Sequence, residues 1–234
     1  MSNAERRAVA LRAVMDECTR EPAHLPKGLQ PLAVGQSAVM SALARLERST
    51  RRSAWSLLPW VAFDPEDLGL DLNPRSRNRG VELRTITQVR NLRFNPLMTS
   101  FSPYTRIGPV VVRLIVIDEQ AAVVEGPLTV EGHTTAWLAT DGEILARALD
   151  VWSTTWAESR PALAPGESPP LNERQLEVAR GVCLGRTDAA IARQLAISER
   201  TVARDVAAIL EVTHAGSRVE AVLNMLGRGR QSRT

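Results

Sequence analysis

Hydrophobic residues recur with helical spacing in four successive stretches of residues 171–227. In the third stretch, residues 199–212, a projection at 100° per residue places one apolar set on one side: Val202, Val206, Ile209 and Leu210. The opposite side carries a different set: Arg200, Arg204, Ala207, Ala208 and Glu211. The pattern predicts four amphipathic helices around one core, with arginine and alanine on the exposed face of the third helix.

Residues that cap helices stand at the start of each stretch. They are Asn172 with Gln175, Thr187, Ser198, and Ser217 with Glu220. Gly185 is placed to end the first helix, because glycine tolerates the left-handed conformation found there. Only Ala196 and Ile197 separate the second helix from the third. So short a turn predicts a helix-turn-helix, the motif whose second helix enters the DNA major groove.

The first 60 residues are predicted to be mostly helical. Residues 3–20 have the apolar spacing of a helix, and the prolines and glycine of residues 21–31 predict a connection. Residues 32–58 are predicted as one longer helix, because Val39, Leu43 and Leu46 are spaced by four and three. The arginines at 45, 48, 51 and 52 form a basic patch on it. We interpret the patch as a solvated helix face, with a second phosphate contact as the alternative.

Strand patterns follow a polar segment, residues 64–79, that predicts a surface loop. Residues 81–86 alternate, residues 110–117 form a nearly continuous apolar run typical of a strand buried on both faces, and residues 121–124 predict a short strand. Thr140 and Glu143 are predicted to box the start of a further helix, whose buried stripe includes Trp152 and Trp156. The predicted fold class is therefore an α/β N-terminal control domain followed by an all-α four-helix helix-turn-helix domain.

Composition divides the chain in the same way. We predict an N-terminal helix and connection at 1–31, an α/β sensor-like domain at 32–160, a proline-rich linker at 161–170 and a DNA-binding domain at 171–234. The net charge is only +3. From residue 171 onward ten arginines face seven acidic residues, so this excess lies where phosphate contacts require it.

Other function classes find little support in the composition. Two cysteines, Cys18 and Cys183, are too few for a disulfide framework or a cysteine zinc site, and no metal or cofactor is predicted. We find neither an apolar run long enough to span a membrane nor a secretory signal. The sequence therefore predicts a cytoplasmic protein without a membrane partner.

The C-terminal run resembles the DNA-binding domain of LuxR-type regulators. The resemblance is carried by Glu173, Glu177-Val178, Gly185, Ile191-Ala192, Leu195, Ile197-Ser198, Thr201-Val202, Ile209, Ser217-Arg218 and Ala221. It implies base reading by the two positions after Thr-Val and by one a turn later, which are Ala203, Arg204 and Ala207 here. The DNA-binding residues we predict are Thr187, Ser198, Arg200, Thr201, Ala203, Arg204, Ala207 and Ala208.

Two departures from this family change the expected base contacts. The family often has lysine and histidine where this chain has Ala203 and Asp205. The base-reading role therefore shifts to Arg204, since an arginine fork can bond guanine O6 and N7 together. For Asp205 we consider two roles, accepting a hydrogen bond from cytosine N4 or orienting a neighbouring arginine, and favour the second.

The run VVRLIVIDEQAAVVEG resembles the strand-turn-strand that carries the catalytic motif of phospholipase D enzymes. The resemblance aligns Val111 with the nucleophilic histidine, Arg113 with the lysine and Asp118 with the aspartate. Because valine cannot attack phosphorus, we predict no catalytic residue and a degenerate, phospholipase-D-like control domain. The three histidines, His24, His133 and His214, stand in no such motif. We predict structural roles for Arg113 and Asp118 in preference to effector binding.

These patterns predict a sequence-specific transcriptional regulator that binds double-stranded DNA as a homodimer. The alternative is a phosphodiester-processing enzyme with a DNA-binding tail. A phosphorylated receiver domain is disfavoured because Lys27, the only lysine, lies in a proline-rich connection. A lactone-sensing pocket built from Trp55, Trp60 and Tyr104 is disfavoured because these aromatics are scattered. A small-molecule effector and a contact with RNA polymerase remain open.

Overall fold

The structure is a computed structural model that describes residues 1–20, 24–61, 63–66 and 75–229. Its contacts divide the chain into two compact units. The sheet unit comprises Met1–Pro59, Leu68–Gln88 and Arg106–Arg160. The helical unit comprises Trp60–Asp67, Val89–Thr105 and Pro161–Thr234. Two segments from the middle of the chain, 60–67 and 89–105, thus make their contacts with the C-terminal helices.

The described elements are as follows in chain order. The helices are α1 (Asn3–Cys18), α2 (Gln36–Ser49), α3 (Arg90–Phe94), α4 (Met98–Phe101), α5 (Gly142–Ala157), α6 (Glu173–Cys183), α7 (Asp188–Leu195), α8 (Glu199–Val212) and α9 (Arg218–Met225). The strands are β1 (Leu29–Val34), β2 (Ser53–Leu58), β3 (Glu82–Thr87), β4 (Arg106–Ile107), β5 (Leu114–Ile117), β6 (Ala121–Glu125), β7 (Thr135–Ala139) and β8 (Arg160–Pro161).

The strands form one mixed sheet in the order β1-β7-β6-β5-β2-β3-β4-β8. Neighbours are antiparallel from β1 to β2 and parallel from β2 to β4. Helices α1 and α5 cover one face, over a core that includes Leu11, Leu114 and Trp152. Helix α2 covers the other face, over Val123 and Leu138. The α/β layer architecture expected for the N-terminal region is confirmed.

The prediction of one helix over residues 32–58 is wrong. That stretch contains β1, α2 and β2, and the spacing of Val39, Leu43 and Leu46 describes α2 alone. Gly35, with φ of +84°, turns the chain from β1 into α2. Residues 53–58, after α2, form a strand because β3 pairs with them on one side and β5 on the other. Trp55, for example, lies opposite Arg84 of β3 and Val116 of β5.

Two smaller predictions also need correction. The apolar run at 110–117 is a strand only at Leu114–Ile117, although Val110 and Val112 are buried before it. Helix α5 is capped by Asp141, whose carboxylate accepts the Gly142 N–H at 2.7 Å, and the Thr140–Glu143 box does not form. Glu143 pairs with Arg147 one turn later.

The helical unit contains the four predicted helices, α6 to α9, around a core of Val178, Val182, Ile191, Val202, Ile209, Ala221 and Met225. Helices α6 and α7 cross closely at Gly181, where a Cβ atom would lie 2.8 Å from Ile191 Cγ1. The earlier segments contribute to this unit through Phe63 and Phe101, whose ring centroids are 6.2 Å apart. The Leu171 N–H donates to Ser100 Oγ at 3.0 Å, which ties the start of the C-terminal run to α4.

Candidate nucleic-acid interface

Helices α7 and α8 are joined by a turn with a left-handed residue. Ala196 has φ 53° and ψ 43°, and the Ile197 N–H donates to the Ala192 carbonyl at 3.0 Å. This bond satisfies one of the carbonyls left free at the end of α7. The chain then enters α8 directly, which gives the helix-turn-helix predicted from the sequence.

Side-chain hydroxyls cap the helices of the motif as predicted. Thr187 Oγ1 accepts the Ala190 N–H at 3.2 Å, and Ser198 Oγ accepts the Thr201 N–H at 3.1 Å. Ser217 Oγ accepts the Glu220 N–H at 3.2 Å. The free N–H groups and positive dipole ends of α7 and α8 favour a phosphate at these positions.

The outer face of α8 presents the side chains that were predicted to meet DNA. Arg200, Ala203, Arg204 and Ala207 are exposed. Thr201 and Ala208 are half-buried on the same helix. Within the described parts of the chain, no hydrogen bond or ion pair engages the side chain of Arg200 or of Arg204. Both guanidinium groups are therefore available to a ligand, and the small side chains of Ala203 and Ala207 on the same face leave room for it.

Asp205 is buried, which removes it from the outer face of α8. Its side chain is 1% exposed and accepts two hydrogen bonds from Arg174 on α6, from Nε at 2.8 Å and from Nη2 at 3.0 Å. The hydrogen bond to Asp205 raises the pKa of Arg174. The alternative in which Asp205 contacts cytosine is therefore wrong. The carboxylate does orient an arginine, but one that fixes α8 against α6.

A second ion pair holds the start of α9 against the start of α7. Arg218 pairs with Asp188 and donates from Nη2 to the Arg186 carbonyl at 2.5 Å. The sequence marked Arg218 as part of the LuxR-type signature without a role. The structure assigns it the task of fixing two helix N-termini next to each other.

Of the residues aligned with the phospholipase D motif, Asp118 makes structural contacts. Asp118 accepts the backbone N–H groups of Arg51 at 2.9 Å, Arg52 at 2.7 Å and Ser53 at 2.8 Å. Burial acts to raise the pKa of the Asp118 carboxyl, but the three N–H donors outweigh it and lower that pKa. Arg113 is exposed and Val111 half-buried. Among residues that the structure describes, no group of three potential ligands could hold a metal ion.

The three aromatics considered for a sensing pocket are divided between the two units. Trp55 stacks on Trp152, with ring centroids 5.4 Å apart and planes at 19°, and belongs to the sheet unit. Trp60 and Tyr104 belong to the helical unit and are 53% and 77% exposed. None of the helices described here is long and apolar enough to cross a bilayer.

These features define a two-unit protein with an α/β sheet unit and a helix-turn-helix unit. Residues 169–225 match the family model described as bacterial regulatory proteins of the luxR family, so this segment is a LuxR-family DNA-binding domain. The sequence resemblance to that family is thus confirmed for the C-terminal quarter. No curated protein matches the chain.

Three solved structures are similar to parts of this chain. Nuc from Salmonella typhimurium, a phospholipase D family member, is 15% identical, with 58% of this chain and 99% of that chain covered and a TM-score of 0.42. NucT from Helicobacter pylori is 11% identical, with 57% and 99% covered and a TM-score of 0.44. TrmBL2, an archaeal chromatin protein, is 10% identical, with 68% and 64% covered and a TM-score of 0.45.

Proposed function

We propose that this protein is a transcriptional regulator that binds specific sites on double-stranded DNA as a homodimer. The observation that carries the proposal is the outer face of α8, where Arg200 and Arg204 are exposed and make no hydrogen bond or ion pair with the residues that the structure describes, within a LuxR-family domain. Because its target is DNA, we propose that it acts in the cytoplasm.

Recognition would divide between backbone and base contacts. Phosphates lie at the capped N-termini of α7 and α8, close to Thr187 and Ser198, and fix the position of α8 in the major groove. Arg204 then donates to guanine, a contact worth roughly 1–3 kcal/mol of discrimination. Ala203, Ala207 and Ala208 let the helix approach the base edges, with Thr201 and Arg200 at the flank.

The dimer would form through α9. Val219 and Leu223 lie one turn apart on this helix and are 71% and 43% exposed, so they give the helical unit an apolar surface. Pairing this surface about a two-fold axis removes it from water and places two α8 helices on half-sites about one DNA turn apart. The sheet unit would strengthen the dimer or sense an effector, and a contact with RNA polymerase would transmit the outcome.

We propose no catalytic role for the sheet unit. Val111 stands where phospholipase D enzymes have their nucleophile, and Asp118 is occupied by three backbone donors. The alternative, a phosphodiester-processing enzyme, predicts hydrolysis of a phosphodiester substrate by the full chain. Hydrolysis that is lost in Arg113→Ala, while circular dichroism shows that the variant is folded, would favour the enzyme, and no hydrolysis by the wild-type chain would count against it.

The deciding experiment is selection of binding sites from random duplex DNA with the full-length protein. We expect an enriched inverted repeat with fixed spacing. The same selection with Arg204→Ala should lose the strongest guanine preference and keep salt-sensitive binding. Enrichment of a single half-site would contradict the dimer, and uniform binding without enrichment would contradict sequence-specific recognition.

A further inference from the structure

A second set of arginines lies on the sheet unit. It comprises Arg45, Arg48, Arg51 and Arg52, at and just after the end of α2, and Arg75, Arg77 and Arg79, before β3. All seven residues are exposed. We refer to them together as the arginine surface.

Hydrogen bonds bring the two segments of the arginine surface together. Arg79 Nη2 donates to the Glu47 carbonyl at 2.9 Å and to Glu47 Oε1 at 2.6 Å. Ser76 Oγ donates to the same carboxylate at 2.6 Å, and the Glu82 N–H donates to the Arg52 carbonyl at 2.8 Å. These bonds place the C-terminal end of α2 and the start of β2 next to residues 76–82, so the two arginine-bearing segments meet at one end of the sheet.

The charge of this surface is not balanced within the described chain. The neighbouring carboxylates are Glu47, paired with Arg79, Glu82, paired with Arg84, and Asp118 and Glu119 at the β5–β6 turn. The seven arginines together with Arg84 make eight positive charges against these four, so the excess is four. Burial acts to raise the pKa of Glu47, but hydrogen bonds from Ser76 and Arg79 outweigh it and lower that pKa.

Four of the arginine side chains, at positions 45, 48, 51 and 77, make no ion pair or hydrogen bond to any residue that the structure describes. Stabilisation of the C-terminal end of α2 by positive charge does not explain why there are so many arginines. One basic residue in the last turn, Arg48, already complements the negative end of α2. Arg45 and Arg48 are three positions apart in α2, so their like charges repel each other. An external anion would offset that repulsion.

We infer that the arginine surface binds the phosphate backbone of double-stranded DNA, in addition to the contact made by α8. The inference rests on the proposed function, which brings DNA to the same chain and raises its local concentration. The guanidinium fork suits phosphate, with which it forms two parallel hydrogen bonds. Residues 45–52 and 75–79 expose no large apolar or aromatic side chain, so they lack the anchor for a bilayer and the stacking platform for single strands.

The test compares two triple variants of the full-length protein on a 40-base-pair duplex of scrambled sequence. The first, Arg48→Gln/Arg51→Gln/Arg77→Gln, removes three unpaired charges from the arginine surface. The control, Arg6→Gln/Arg12→Gln/Arg20→Gln, removes three exposed arginines at and after α1, on the opposite face of the sheet. Binding is measured by fluorescence anisotropy from 50 to 200 mM salt, and circular dichroism checks that both variants fold.

Three phosphate contacts contribute about 2.7 to the slope of log K against log salt, so the wild type should lose roughly 40-fold more affinity over this range than the first variant. The control should keep the wild-type slope. The corresponding triple lysine variant, Arg48→Lys/Arg51→Lys/Arg77→Lys, should restore most of the slope, because it restores the charge. Equal slopes for the wild type and the first variant, or equal losses in both glutamine variants, would overturn the inference.

Two further arms separate this inference from its alternatives. If the wild type shows no preference for a selected operator over scrambled DNA, the proposed function fails, while the comparison on scrambled DNA still decides the role of the arginine surface. Vesicles containing 30% phosphatidylserine serve as a membrane probe. Binding to vesicles that depends on the arginine surface, without a change in DNA binding, would assign this surface to a membrane and refute the DNA contact.

Discussion

The ion pair between Arg174 and Asp205 should respond asymmetrically to removal of either partner. Asp205 is 1% exposed, whereas Arg174 is 41% exposed. Replacing Arg174 with Leu leaves a buried carboxylate without its two donors. Replacing Asp205 with Asn keeps the shape of the side chain and leaves an arginine that can turn toward water.

The two costs can be estimated from this difference in exposure. Loss of one partner from a fully buried pair costs about 3–5 kcal/mol, and screening at the exposed arginine reduces this to roughly 2–3 kcal/mol for Arg174→Leu. Asp205→Asn should cost about 1 kcal/mol, the net value of a hydrogen bond. The double variant should cost less than the sum of the single variants, because they remove the same interaction.

Urea unfolding of the full-length protein at pH 7 provides the assay. Far-UV circular dichroism reports on the unfolding of both units. Tryptophan fluorescence reports mainly on the sheet unit, because four of the five tryptophans, all except Trp60, lie there. With a slope of about 1 kcal/mol per molar urea, Arg174→Leu should lower the urea midpoint of the helical unit by about 2 M. A cost for Asp205→Asn equal to or above that of Arg174→Leu would refute the reasoning from burial.

Three further predictions concern DNA reading, dimerisation and thiol reactivity. Arg204→Ala should weaken binding to a selected operator by about 5–100-fold, the equivalent of one guanine contact. Arg200→Ala should reduce the preference for the operator over scrambled DNA less than Arg204→Ala does. Competition with scrambled DNA measures both variants, and equal effects would contradict the special role of Arg204. Leu223→Glu should shift the protein to monomers in analytical ultracentrifugation, with Val9→Glu as an exposed control on α1 that keeps the wild-type mass. Burial raises the pKa of Cys183 to about 12, so at pH 8 its alkylation by iodoacetamide should be roughly a thousandfold slower than in urea, and equal rates would contradict its burial.

Sequence reasoning succeeded where the deciding interactions are local. The caps at Asn172, Thr187 and Ser198 and the apolar side of α8 depend on residues three or four positions apart, so they could be predicted. The burial of Asp205 also left a signal. It stands three residues after Val202 and four before Ile209, which places it on the core side of α8 despite its charge.

The rest depended on partners far away in the sequence. Nothing within residues 53–58 marks them as a strand, and their pairing with β3 and β5 decides it. The contacts of segments 60–67 and 89–105 with the C-terminal helices leave no local pattern, because the deciding partners, such as Ser100 and Leu171, are 71 positions apart. The basic patch of Arg45, Arg48, Arg51 and Arg52 could be predicted, but not the hydrogen bonds that join it to residues 76–82.

The helical unit is built from three separate segments of the chain, and this sets the order in which the protein can fold during synthesis. A ribosome releases the chain from its N-terminus, and domains generally fold as they emerge. The strands and helices of the sheet unit are complete once residue 160 has left the ribosome. Phe63, Leu97 and Met98, which are at most 3% exposed in the finished protein, must wait for residues 171–225 before they are covered. A chain that stops in the proline-rich segment would therefore expose these apolar side chains and aggregate, even though its sheet is complete.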